Sequence, residues 1–191
     1  MGERTTRERI LDAAAELLVQ SGPQCSMASI ALEAGVAIGS MYNHFASKDA
    51  LIRAVYDRLA VQLEAAVILD WEQDLSVRDR FDAYVDHYID FFWSDPKRAI
   101  LFEILSSLPI VTPAELLSHF ARSADYIARV LNALAKEMPL RPSEPGQLAA
   151  FVGGAIRNTL KWRRLRPPPL TQTERAQILA MCRAAISADA A

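Results

Sequence analysis

One pattern constrains this chain more than any other. From Thr6 to Ser187 its apolar residues recur at intervals of three and four, and the apolar–polar alternation of strands is nearly absent. At 3.6 residues per turn that spacing gathers the apolar residues on one side of a helix, whereas a strand needs a period of two. The chain is therefore expected to be all-α, with about nine helices.

The punctuation between the runs divides them. A first helix is expected over Thr6–Gln20, with Ile10, Leu11, Ala14, Leu17 and Leu18 as its stripe and Thr5 or Thr6 as its N-cap. Ser21-Gly22-Pro23 ends it. Short helices over Met27–Ala34 and Ile38–Phe45 follow, and Ser47-Lys48-Asp49 then opens a long one, with Ser47 as N-cap, that could reach Leu69. Further helices are expected over Ser76–Ser94, Pro96–Ser107, Pro113–Glu137, Glu144–Arg164 and Thr171–Ser187, with loops over Pro139–Pro145 and Arg166-Pro167-Pro168-Pro169. The change from three short, tightly spaced helices to longer ones places a domain boundary between residues 1–46 and 47–191.

Composition serves mainly to exclude. Lysine and arginine number 21 against 23 acids, a net charge of -2, so contact with nucleic acid has to rest on local placement. Residues 1–50 hold four bases (Arg4, Arg7, Arg9, Lys48) against six acids, which predicts modest nonspecific affinity for DNA. Cys25 and Cys182 are isolated and make neither a disulfide framework nor a zinc site, and a reducing compartment is the natural setting. The three histidines at 44, 87 and 119 are scattered, so no metal and no cofactor are expected. No nucleophile elbow, phosphate loop or paired-carboxylate spacing points to an enzyme. Met1 to Glu16 has no apolar core of a signal peptide, and no apolar run approaches 18 residues without charge. A cytoplasmic protein with no membrane partner is expected.

The informative stretch is Ser26 to Phe45, S-M-A-S-I-A-L-E-A-G-V-A-I-G-S-M-Y-N-H-F. Two short helices meet at Ala34-Gly35-Val36, where Gly35 suits a left-handed turn and Val36 plugs the angle between them. Ile30, Ala31, Met41 and Phe45 would pack on the Ile10/Leu17 stripe, leaving Ile38, Ser40, Tyr42 and Asn43 outside. A helix held in that way can enter a major groove. Short helix pairs with a glycine turn also occur in bundles that bind no DNA, and Tyr42 and His44 taken singly are more often structural.

The joint spacing resembles the N-terminal domain of the TetR family of bacterial repressors. Its motifs are matched by Arg9-Ile10-Leu11-Asp12-Ala13-Ala14, Ile30-Ala31, Ala34-Gly35-Val36, Gly39-Ser40-Met41-Tyr42-Asn43-His44-Phe45 and Ser47-Lys48-Asp49-Ala50-Leu51. The resemblance covers roughly the first 55 residues, and the remainder is similar in length and helical layout. It implies that Ser26 donates to a phosphate, that Tyr42 and His44 reach backbone oxygens, and that Lys48 adds a charged phosphate contact. Gly39 would permit close approach, while Ala37, Ile38, Ser40 and Asn43 would face bases. Family members often carry serine at the position of Ala37 and a basic or polar residue at that of Ile38. Readout here would then lean on methyl contacts, water and DNA shape.

The resemblance further implies a ligand-responsive regulator, a repressor, that binds palindromic double-stranded operator DNA as a homodimer. A small-molecule effector would sit in the helical ligand-binding and dimerisation bundle, and a tilt of the long helix from Lys48 would couple it to DNA. Tyr84, His87, Tyr88 and Phe91 recur at three and four on one aromatic face, which is core in most bundles and a cavity wall in this family. Candidate effector contacts are His87, Tyr88, Phe91, Phe102, His119, Tyr126, Asn158 and Trp162, for an apolar or aromatic ligand. Dimerisation is expected through the last two helices, using the small residues of Gln147–Lys161 and a stripe of Ile178, Leu179, Met181, Cys182, Ala185 and Ile186. The competing reading is a helical protein-interaction bundle without DNA-binding activity.

Overall fold

The computed structural model describes residues 4–71, 74–110, 112–166 and 169–188. Among them lie ten α-helices: α1 Thr6–Ser21, α2 Met27–Ala34, α3 Ile38–His44, α4 Lys48–Val67, α5 Val77–Ser94, α6 Pro96–Ser106, α7 Pro113–His119, α8 Ala121–Leu134, α9 Pro145–Arg163 and α10 Gln172–Ile186, with a 3-10 turn over Gly22–Gln24. Extended pairing among the described residues is confined to one isolated bridge, Leu140 with Ser187. The chain is all-α. The single helix expected over 113–137 is broken, because Phe120 adopts φ -106 and ψ 12 and its carbonyl starts the next helix by accepting from the Ala124 N–H at 2.9 Å. Of the expected loops, Pro167 and Pro168 lie outside the described residues.

Contacts group the chain into two compact units, Met1–Val61 with Pro96–His119, and Gln62–Asp95 with Phe120–Ala191. The core of the first is built from Ile10, Leu11, Ala14 and Leu18 of α1, Ile30 and Ala31 of α2, Met41 of α3, Phe45, and Leu51, Val55, Tyr56 and Leu59 of α4. Asp12 ties α1 to α4 by accepting from Arg58 at 2.7 Å, and Arg58 also donates to the Leu11 carbonyl at 2.8 Å.

In the second unit α5, α8, α9 and α10 pack on one another. Phe81, Val85, Ile89 and Phe92 of α5 meet the buried faces of α8 (Ile127, Val130, Leu131, Leu134), α9 (Val152, Ile156, Leu160) and α10 (Ile178, Cys182, Ile186). The approach of α9 to α5 depends on Gly153, where an added Cβ would come within 3.1 Å of the Tyr88 hydroxyl oxygen. These placements correct the expected dimer stripe. Ile178, Cys182 and Ile186 are covered by this chain's own helices, because α10 turns them toward α5 and α9. Phe151, Trp162 and Met181 are the large apolar side chains of α9 and α10 that stay exposed.

Capping follows the hydroxyl and carboxylate pairs visible in the sequence. Thr5 with Glu8 and Thr171 with Glu174 each close a reciprocal box at the start of α1 and α10. The Glu174 carboxyl is held down to about 2, first by the hydrogen bond from Arg163 and then by those from Thr171. A depressed folded-state value contributes stability at pH values above the ordinary 4.5, and loses it as pH falls from there toward about 2. Thermal melts run from neutral pH down to about 2 should show a steeper acid limb for the parent chain than for Glu174→Gln. Superimposable limbs would mean that this box contributes nothing.

Candidate nucleic-acid interface

Ser26 begins the motif as the N-cap of α2, accepting from the Ser29 N–H at 3.0 Å while the Ser29 hydroxyl turns back to the Ser26 backbone. Nine residues later Gly35 stops the helix in the left-handed region, at φ 64 and ψ 40. Its N–H donates to the Leu32 carbonyl at 3.1 Å and the Val36 N–H reaches the Ala31 carbonyl at 3.0 Å. That pairing satisfies carbonyls which the helix end would leave open. Arg9 supplies what the sequence reading missed. Its guanidinium donates to the Ala34 carbonyl at 2.7 Å and to the Gly35 carbonyl at 2.7 Å, so α1 grips the turn itself. The Arg9 guanidinium is thereby occupied within the protein. Arg7 lies 5.3 Å from the centre of the Phe45 ring, and Arg4 pairs with Asp12 at 3.0 Å.

The turn delivers α3 with one face anchored and the other free. Met41 is fully covered and Phe45 is 4% exposed. Ala37, Gly39, Asn43 and His44 are exposed, Ile38 and Tyr42 are 45% and 52% exposed, and Ser40 is half-buried. Two large apolar or aromatic side chains in water on a seven-residue helix make a surface shaped for contact, not a packing face. At the head of α4 the Ser47 hydroxyl accepts from the Ala50 N–H at 3.1 Å, and the Lys48 ammonium donates to the Pro23 carbonyl. Lys48 thus fixes the entry to α2 with one of its three N–H bonds.

The effector candidates are drawn from both units. Phe102 and His119 belong to the first unit, where His119 pairs through Nδ1 with Asp57 at 2.5 Å and stands edge-on to the Tyr56 ring. His87, Tyr88, Phe91, Tyr126, Asn158 and Trp162 belong to the second. There Tyr88, Phe91 and Tyr126 are buried in an aromatic run, with Tyr84 6.2 Å from Tyr126 and 5.9 Å from Tyr88, and Tyr88 5.0 Å from Phe92. His87 is half-buried with Nδ1 unpartnered, while Asn158 and Trp162 are exposed. Arg157, absent from the sequence reading, donates to the Tyr88 hydroxyl from α9. Burial pushes the Tyr84 and Tyr88 hydroxyls well above the ordinary range, with Arg157 opposing it only in part. No local signal shows what Arg9 or Arg157 holds, because each acts on a residue distant in the sequence.

Known proteins show the same anatomy. The model of bacterial regulatory proteins of the tetR family matches residues 10–55. TtgW of Pseudomonas putida, described as an uncharacterized helix-turn-helix-type transcriptional regulator, is 36% identical over 103 residues, covering 53% of this chain and 73% of that protein. A tetR-family transcription regulator of Shewanella sp. PV-4 superimposes with a TM-score of 0.85 at 21% identity, over 96% of this chain and 98% of the other. One from Marinobacter aquaeolei VT8 gives a TM-score of 0.82 at 17% identity, over 95% of each chain. At those identities the superpositions speak for the fold, and the family rests on the motif match and on TtgW. A capped α2, a glycine turn gripped by Arg9 and an α3 with a free outer face, matched in sequence over residues 10–55, place this chain in the TetR family of bacterial transcriptional regulators.

Proposed function

We propose that the chain is a ligand-responsive repressor that binds palindromic operator DNA as a homodimer and is released by a small apolar or aromatic effector. The observation that carries the DNA reading is the exposed face of α3, Ile38, Tyr42, Asn43 and His44, held from behind by Met41 and Phe45. Residues 1–46 would read DNA and residues 47–191 would bind the effector and the second subunit. Ser26, Tyr42, His44 and Lys48 would meet phosphates, while Ala37, Ile38, Ser40 and Asn43 approach base edges across Gly39. Asn43 is the one side chain able to pair bidentately with adenine, and Ala37 and Ile38 offer methyl contacts to thymine. Phosphate contacts set orientation and bulk affinity, and base contacts set sequence.

Selection of bound duplexes from a random pool gives the operator, and fluorescence anisotropy then measures its affinity. Tyr42→Ala should weaken operator and unrelated duplex alike, by about 1 kcal/mol or more, with unchanged melting temperature. Asn43→Ala should instead relax preference at one base position, by about 1–3 kcal/mol. Parent affinity in both variants would return the chain to the class of protein-interaction bundles.

Two half-sites demand a two-fold dimer. Phe151 (61% exposed), Trp162 (61%) and Met181 (56%) are large apolar groups in water on α9 and α10, and burying them against a second copy removes that exposure. Phe151→Glu is expected to shift the chain to monomer in sedimentation velocity and to lose operator affinity in parallel. A dimer that survives the change would move the interface elsewhere.

A further inference from the structure

Two polar groups of the second unit are buried without a hydrogen-bond partner, His87 Nδ1 and the Tyr126 hydroxyl, and the second sits among rings. Tyr126 is 4% exposed, and its oxygen is buried without a hydrogen-bond partner. A buried hydroxyl left unpaired is costly, and native structures keep few of them, each for a reason such as a bound partner that completes it. Its surroundings are rings. Trp71 stands edge-on at 6.2 Å, with an interplanar angle of 80°, and Tyr84 of α5 lies at 6.2 Å. The indole of Trp71 is itself flanked by two guanidinium groups, Arg80 at 4.8 Å and Arg129 at 4.6 Å from its centre. Arg80 also donates to the Asp70 and Trp71 carbonyls at 2.8 and 2.7 Å, which fixes the chain between α4 and α5 in this position.

We propose that Tyr126 is the hydrogen-bonding end of an effector subsite at the Trp71, Tyr84 and Tyr126 rings, built for a neutral aromatic molecule that carries one carbonyl-type acceptor. The assignment rests on the reading that this unit senses an effector, and it adds the chemical class. Aromatic walls from Trp71 and Tyr84 favour a flat ring by edge and offset contacts. The phenolic O–H supplies a single donor. Neutrality follows from the cations nearby: Arg80 is committed to two backbone carbonyls, Arg157 gives to the Tyr88 hydroxyl, and Arg129 lies on the exposed side of α8. A carboxylate placed among these rings would lose its hydration without gaining a buried, uncommitted cation. The upward displacement of the Tyr84 and Tyr88 hydroxyls by burial reports the same intolerance of negative charge.

Three probes of one shape separate the possibilities: acetophenone, α-methylstyrene, which replaces the carbonyl by a methylene, and benzoate, which replaces the ketone by an anion. Saturation-transfer NMR titrations on the full-length protein without DNA should show acetophenone binding about fivefold or more tightly than either of the others. Tyr126→Phe keeps the ring and removes the donor, so it should bring acetophenone down to the level of α-methylstyrene while the melting temperature stays equal or rises. Equal binding of the three probes, preference for benzoate, an unchanged ranking in Tyr126→Phe, or no binding by acetophenone each overturns the subsite. Operator release is scored in a separate anisotropy assay. Intact preference for acetophenone without release of DNA would sink the effector reading and leave the chemistry of the subsite standing.

Discussion

Replacing Phe45 by alanine is expected to lower the unfolding free energy by about 3–5 kcal/mol, the range for deleting a buried aromatic ring. The ring is 4% exposed, and it closes the first unit where α3 gives way to the turn before α4. On its far side the Arg7 guanidinium stands 5.3 Å from the ring centre, so the truncation also removes a cation–π contact between α1 and the end of α3. The cavity left behind would let α3 shift on its anchor. Operator affinity is therefore expected to fall even at temperatures where the chain remains folded, since a reading helix must be held to within a fraction of an ångström. Urea unfolding followed by far-ultraviolet circular dichroism measures the first effect, and anisotropy at low temperature measures the second. A loss below about 1 kcal/mol would mean that the neighbouring core collapses onto the space.

Gly35→Val should cost about 2 kcal/mol or more and should reduce DNA binding out of proportion to stability. At φ 64 and ψ 40 a β-branched residue is strained whatever room surrounds it. The room is also short, because a Cβ would lie 3.3 Å from the Arg9 Nη2 atom that donates to the Ala34 and Gly35 carbonyls. The substitution thus strains the turn and crowds the side chain that clamps it, and both effects change the angle at which α3 leaves α2. Gly35→Asn separates them, since asparagine tolerates the left-handed region yet still carries a Cβ toward Arg9. The asparagine variant should recover most of the stability and less of the affinity. Equal unfolding midpoints for the parent and valine chains would remove the strain from this account.

The helix-turn-helix is legible in the sequence because its requirements are local. A serine before Met27, a glycine after Ala34 and apolar residues at 30, 31, 41 and 45 fix two short helices, their turn and their buried side within twenty residues of chain. The hydroxyl N-caps at Thr5 and Ser47 are legible for the same reason. Lys48 was marked only as a phosphate contact, and the structure adds its bond to the Pro23 carbonyl, 25 residues earlier. The break at Phe120 escaped notice because residues 113–137 hold helical spacing on both sides of it and no glycine or proline announces the stop. The aromatic face of α5 was visible as a repeat, but a repeat does not separate ring packing from an unpaired hydroxyl, and Tyr126 acquires its meaning only from neighbours on other segments.

The sequence by itself determined the all-helical class, the helix-turn-helix, its caps and the residues α3 turns outward, because each depends on backbone preference and on spacing within one or two turns. Tertiary structure alone decided that Arg9 grips the turn, that Ile178, Cys182 and Ile186 serve this chain's own core, and that Tyr126 is buried without a partner. Helical periodicity says that a residue faces something apolar, and it carries no information about which helix supplies the other side.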